Sequence, residues 1–236
     1  GRLIVGQELD ESVAQMRGRE GTSIQLTIFR PGRDEPFDLS VKRGVIELEP
    51  VTWELHEGNI GQIMVNEFSR DVGSDVFTAW EEMKAEATGR IDGLVLDLRS
   101  NPGGSLDEAV ALSDLFLTEG RIVSQRGRAR GENIAYDAET VFRGDIAGGL
   151  PMVVLIDAGS ASASEIVAGA LQDHRRAVVM GERSFGKGSV QSLLPLGRDA
   201  ALKLTTARYF TPSGHSVQEG GIDPDITVPQ LSDPDL

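Results

Sequence analysis

Apolar positions change their spacing several times along the chain, and each change marks an element. Ile24, Leu26 and Ile28 alternate with polar neighbours, Pro31 and Gly32 turn the chain, and Phe37, Leu39 and Val41 alternate again. This predicts a hairpin with one buried face. Ahead of it, Asp10 can cap a short helix carrying Leu9, Val13 and Met16, with Gly18 ending it. From Val45 to Phe68 the pattern is strand-like, with Trp53 and Leu55 on one face and a more continuous apolar run from Ile60 to Val65. Two or three strands fit. Val76, Trp80, Met83 and Ala87 then fall at helical spacing, predicting a helix over 74–88 stopped by Gly89.

The middle of the chain alternates two kinds of element. Ile91 to Leu98 is a short apolar strand of the kind buried on both faces of a parallel sheet. After the turn RSNPGGS, Leu106, Val110, Ser113 and Leu117 mark one face of a helix, widened by Leu112, Leu115 and Phe116, so it is expected to be largely buried. PMVVLID is a second buried strand, Ser162 to His174 another helix, and AVVMG (177–181) a third strand. Alternating strands and helices imply right-handed parallel crossovers and an α/β core. Residues 121–149 read as mixed and glycine-punctuated, with Arg126, Arg128 and Arg130 close together, either a solvated edge or a substrate contact. Val190 to Leu196 and Leu202 to Tyr209 add strands, and the end of the chain, rich in Gly, Pro and Asp, is irregular.

Composition narrows the function classes. The 236 residues suffice for one sizeable core and a smaller appendage, and with 39% hydrophobic and 25% charged residues the chain is ordinary for a soluble globular protein. No run of about 18 apolar residues could span a bilayer, and no signal peptide is visible, so any export signal is expected upstream. The 23 basic and 37 acidic residues give a net charge of -14, the wrong sign for a nucleic-acid partner. With no cysteine, disulfides, thiolate catalysis and cysteine metal sites are excluded.

The candidate chemistry lies between Asp157 and Gln191. Ser162 stands at a helix start three residues before Glu165, ahead of Ile166, Val167, Ala170 and Leu171, which fits a capping box. The same position suits a nucleophile, because free backbone N–H groups at a helix start stabilise an oxyanion. A nucleophilic serine needs a base. His174 lies 12 residues along the same helix. At 1.5 Å per residue that is roughly 18 Å, out of reach. His56 and His215 stand in polar, turn-like surroundings, open only to tertiary contact, and no paired histidines suggest a metal. Lys187 is the alternative base. An ordinary lysine has a pKa of about 10.4, so the role requires burial that disfavours its charge. SFGKGSV surrounds it with glycines and Phe185, and Gln191 follows four residues later, able to orient the amine. Gly181, Gly186 and Lys187 also satisfy part of a phosphate loop, but Gly188 stands where Ser or Thr is required and a strand-like VQSLLPL follows. The other glycine turn, NPGG at 101–104, is either a tight turn or the donor of a Gly103 or Gly104 N–H to a reacting carbonyl.

DLRSNPGG, GSASASEIVAGALQDHRRAVVMGERSFGKGSVQ and TPSGHSVQEGGIDPDI, in this order and spacing, resemble the carboxyl-terminal processing (tail-specific) serine peptidases over roughly residues 90–228. The resemblance implies Ser162 as nucleophile, Lys187 as general base and Gln191 as its partner, with Ala163 and Gly103 or Gly104 as backbone oxyanion donors. It implies a core of the crotonase and Clp-protease type with additional β strands over 44–236, and the C-terminal half of a PDZ domain over 1–43. The peptide-gripping loop of such a PDZ domain is expected before residue 1. It further implies an endopeptidase without metal or cofactor that cuts protein substrates near their C-termini, an oligomer being compatible, in the periplasm or cell envelope. Two alternatives stand beside it: a non-catalytic binding protein on the same fold, and a latent form of the peptidase.

Overall fold

The computed structural model describes residues 16–30, 35–44, 49–87, 89–128, 130–139, 144–197, 200–218 and 220–229. The helix predicted around Asp10, apart from Met16, lies outside them, as does the turn at Pro31 and Gly32. Two compact units are present, Gly1–Leu48 and Glu49–Leu236.

In the first unit, β1 (Ser23–Ile28) pairs antiparallel with β2 (Phe37–Lys42). The register sets Ile24 opposite Val41, Leu26 opposite Leu39 and Ile28 opposite Phe37, so the alternating apolar residues share one face. That face is less buried than the alternation predicts, with Leu39 43% and Val41 39% exposed. Arg43 ties the hairpin to the segment before it, donating from Nε to the Met16 carbonyl and from Nη1 to Thr22 Oγ1.

The second unit opens with β3 (Val51–His56), β4 (Ile60–Val65), helix α1 (Val72–Glu86), β5 (Gly93–Asp97) and helix α2 (Leu106–Asp114). It continues through β6 (Arg121–Gly127), β7 (Ile134–Asp137), β8 (Met152–Ile156), helix α3 (Ala163–Asp173) and β9 (Val178–Gly181). Strands β10 (Ser189–Pro195), β11 (Ala201–Phe210) and β12 (Ile226–Thr227) complete it. Six of these strands form one sheet of order β12-β9-β8-β5-β4-β3, in which every neighbouring pair is parallel except the β3–β4 hairpin. Helices α1, α2 and α3 lie on the crossovers between its strands. In α3 every residue from Ala163 to Leu171 is buried. A helix so nearly apolar all round has no solvent face, and α3 packs against α2, β9 and β6.

A four-stranded antiparallel sheet, β10-β11-β6-β7, accompanies the first. The stretch 121–149, which shows only mixed character in sequence, thus holds two strands. In β6 the signal is hidden because polar Ser124 and Gln125 are buried beside Ile122 and Val123, which erases the alternation, and β7 is only four residues long and largely exposed. The two tryptophans both lie in the second unit: Trp80 is buried and donates Nε1–H to the Ile146 carbonyl, and half-buried Trp53 donates to Glu82 Oε2. Among the described residues no helix is long and apolar enough to cross a membrane.

Candidate active site

Three turns meet at the carboxyl ends of the parallel strands, where open α/β sheets place their sites. The turn after β5 holds Arg99 to Gly104, the turn after β8 holds Asp157 to Ser162, and the loop after β9 holds Glu182 to Gly188.

Side chains within the first two turns stitch them together. Asp157 Oδ1 accepts from the backbone N–H groups of Gly159 (2.9 Å), Ser160 (3.0 Å) and Ser100 (2.8 Å). Ser160 Oγ donates to the Leu98 carbonyl at 2.8 Å. Burial acts to raise the Asp157 pKa, but the hydrogen bonds from Ser100, Gly159 and Ser160 outweigh it and hold the group below its ordinary 3.8. Asn101, fully buried, donates Nδ2–H to the Val65 carbonyl, and its backbone carbonyl accepts from Ala161 N (3.0 Å) and Ser164 Oγ (3.0 Å). Asp97 ends β5 and accepts two bonds from the Arg99 guanidinium and one from Gln62 Nε2. The hydrogen bond to Asp97 raises the Arg99 pKa above its ordinary value despite desolvation. Asp97, Arg99, Ser100 and Asp157, with Asn66, line a polar cavity of about 280 Å³.

Ser162 caps α3 with φ 58° and ψ -109°, a positive φ unusual for a residue with a side chain. It stands in capping-box relation to Glu165, whose Oε2 accepts the Ser162 N–H at 2.7 Å. The Glu165 N–H bonds the Ser162 carbonyl at 3.0 Å. Ala163 occupies the first helical position, where the N–H has no intrahelical acceptor. Against this turn lies Gly103, at φ +100°, where a Cβ would sit 2.6 Å from the Ala161 carbonyl oxygen and 2.8 Å from Ser162 Cβ. Only glycine lets the two turns touch. The two candidate oxyanion glycines differ. The Gly103 N–H donates to Asn101 Oδ1 at 2.8 Å, whereas the exposed Gly104 has an N–H with no partner among the described residues.

The Lys187 loop is held from both sides. Phe185 N–H donates to the Ser160 carbonyl (2.9 Å), Ser184 N–H to the Ile222 carbonyl (3.1 Å), and Tyr209 N–H to the Gly188 carbonyl (2.7 Å). Gly186 N–H and Lys187 N–H donate to Glu165 at 2.6 and 2.9 Å. The structure therefore brings the backbones of Ser162 and Lys187 onto one carboxylate. Gln191 lies on β10 opposite Thr205, one residue past a register shift. Among the described residues no hydrogen bond joins the side chains of Ser162, Lys187 and Gln191. The expected shelter around the amine is also not formed: Lys187 and Gln191 are exposed, and Phe185 is 68% exposed.

The histidines lie elsewhere in the hydrogen-bond network. His174 caps the far end of α3, with Nε2 2.6 Å from the Arg121 carbonyl oxygen, and His56 Nε2 meets Gln62 Oε1 at 2.7 Å. His215 is exposed in the turn after β11, where its carbonyl accepts the Thr211 N–H at 2.9 Å. Arg126 stacks on Phe210, 4.4 Å from the ring centre, and joins Arg128 and Arg208 around a cavity of about 730 Å³ on the antiparallel sheet. Among the described residues no three histidine, aspartate or glutamate side chains gather as a metal site. From sequence, Glu165 has only a capping role, and neither Asn101 nor Asp157 stands out. The S-x-x-E spacing is the available signal for Glu165, but its partners 19 to 22 residues away are set by tertiary structure.

A serine at a strained helix start, facing a glycine turn and joined through one carboxylate to the backbone of a lysine loop, lies at the carboxyl ends of the parallel strands, where α/β proteins place their sites. The chain belongs to peptidase family S41, whose pattern matches residues 59–228. It is 50% identical over 231 residues to a carboxy-terminal-processing protease of Bartonella bacilliformis, covering 98% of this chain and 52% of that protein. A carboxyl-terminal-processing protease of Synechocystis sp. is 38% identical over 226 residues, covering 94% of this chain and 51% of the relative. The chain thus spans about half the length of these curated relatives. The solved structure of a photosystem II D1 C-terminal processing protease superposes with a TM-score of 0.74 at 27% identity, covering 97% of this chain and 61% of that one. Mature CPAF in complex with lactacystin, at 15% identity, a TM-score of 0.57 and coverage of 94% and 68%, shares the fold.

Proposed function

We propose that this chain carries the catalytic part of a serine endopeptidase that cleaves polypeptides near their C-termini. Ser162 is the nucleophile, Lys187 the general base and Gln191 the group that orients the amine. The observation that carries this reading is the contact of the Ser162 turn with the Gly103 turn. It puts Gly103 against Ser162 and the Ala163 N–H, and the N–H groups of Ala163 and of Gly104, the next residue in the glycine turn, are both without partners among the described residues. With the Gly103 N–H committed to Asn101, the oxyanion donors are Ala163 and Gly104.

The chemistry follows from those roles. The neutral Lys187 amine takes the Ser162 proton as Oγ attacks the peptide carbonyl, and the two N–H groups hold the oxyanion. The lysine then returns the proton to the leaving amine, and water releases the acyl group. A lysine serves as base only where its charge is disfavoured, which means keeping water away. Lys187 and Phe185 are exposed here, so the bound polypeptide supplies that cover by lying across both. The parallel sheet with its crossover helices supports a crotonase and Clp-protease type of core, the β1–β2 hairpin supports assignment of residues 1–43 to the C-terminal half of a PDZ domain, and the cell envelope is the proposed location.

The test is cleavage of unstructured casein. Ser162→Ala and Lys187→Ala are expected to lose at least about a thousandfold in turnover with unchanged circular dichroism. Undiminished cleavage by the Ser162→Ala protein overturns the assignment. A fluorophosphonate that labels Ser162 in the wild type separates a peptidase from a binding protein on the same fold.

A further inference from the structure

Glu165 is fully buried, with 0% of its surface exposed, and it sits beside the proposed nucleophile. A carboxylate is costly to bury unless its lone pairs are used. Here four donors converge on it. Oε2 accepts from Ser162 N (2.7 Å) and Lys187 N (2.9 Å), while Oε1 accepts from Ser184 Oγ (2.6 Å) and Gly186 N (2.6 Å).

A helix cap explains only one of these four bonds. The other three come from the loop after β9, so the carboxylate is shared between two segments distant in sequence. Ser184 extends the arrangement: its Oγ accepts from Ile222 N at 2.7 Å, which braces the Gly221–Ile222 turn against the same group. Charge-assisted bonds of this kind are roughly twice as strong as neutral ones.

We propose that Glu165 is a positioning residue of the peptidase, a buried clamp that fixes the backbone of Lys187 relative to the backbone of Ser162. This rests on the assignment of Ser162 and Lys187 given above. Because one oxygen, Oε2, holds both backbones, the root of the lysine side chain is set against the nucleophile before any substrate arrives. Geometry set in advance removes reorganisation from the reaction. A neutral amide cannot replace the carboxylate, because in Glu165→Gln the side-chain NH2 donates where an oxygen now accepts. Turned one way, it loses the Gly186 bond. Turned the other way, it loses those of both Ser162 and Lys187.

The experiment compares the wild type with Glu165→Gln and Ser184→Ala. Three quantities are read: amide hydrogen exchange at Gly186 and Lys187, the fluorophosphonate labelling rate at Ser162, and kcat and KM for casein per labelled site. In Glu165→Gln the two amides are expected to exchange about tenfold faster or more, with the labelling rate and kcat per site falling by a similar factor and KM unchanged. Counting per site matters, because partial unfolding lowers the number of active sites and not their rate. Ser184→Ala removes one donor and is expected to move exchange, labelling and kcat in the same direction by less, which keeps the test alive if Glu165→Gln does not fold. Unchanged exchange at Gly186 and Lys187, unchanged labelling per site, or a loss confined to KM overturns the clamp and leaves Glu165 a helix cap. A wild type that is not labelled at Ser162 overturns the peptidase reading and the clamp with it.

Discussion

Ser162 keeps its side chain at φ 58°, a conformation that costs about 1–3 kcal/mol and persists only where its surroundings impose it. Those surroundings are Gly103 on one side and Glu165 on the other. Gly103→Ala is therefore expected to destabilise the protein by more than about 2 kcal/mol, since it adds backbone strain at φ +100° to a direct overlap with the Ala161 carbonyl. Urea denaturation checks the stability, and loss of fluorophosphonate labelling at Ser162 checks the site. At this scale the proposed serine and lysine stand out in sequence because their neighbours in the chain are distinctive. The shelter expected for Lys187 is not formed, because Phe185 and the flanking glycines permit close packing without imposing it.

At the scale of elements, the turns after β5 and β8 act as one unit through Asp157. Its pKa lies below the ordinary 3.8, so its contribution to stability is present above that value and is lost as pH falls through the lower folded value. Asp157→Asn is expected to cost about 1–3 kcal/mol at neutral pH, and the gap from the wild type narrows once pH drops below the ordinary carboxylate range. Urea unfolding at a series of pH values measures it. Strands β5, β8 and β9 and helices α2 and α3 are legible because continuous apolar runs alternate with helical spacing. Strands β6 and β7 are not, since in β6 Ser124 and Gln125 are buried among apolar residues and β7 is a short, largely exposed strand with no buried face to mark it.

At the scale of the whole molecule, the alternation of strands and helices foretells the parallel sheet but not the second sheet, in which β11 joins β10 to a β6 far earlier in the chain. Such pairings depend on which surfaces remain uncovered after the core forms. The net charge of -14 acts over the whole surface. Cleavage of a cationic unstructured polypeptide is expected to weaken as salt rises, and that of an anionic one to strengthen, because salt screens a long-range field. Values of kcat/KM for two such substrates across an ionic-strength series decide it. The placement of the tryptophans has a spectroscopic consequence. With Trp53 and Trp80 both in the second unit and none in the first, indole fluorescence follows the melting of the α/β core alone, and the β1–β2 hairpin can unfold unseen by it.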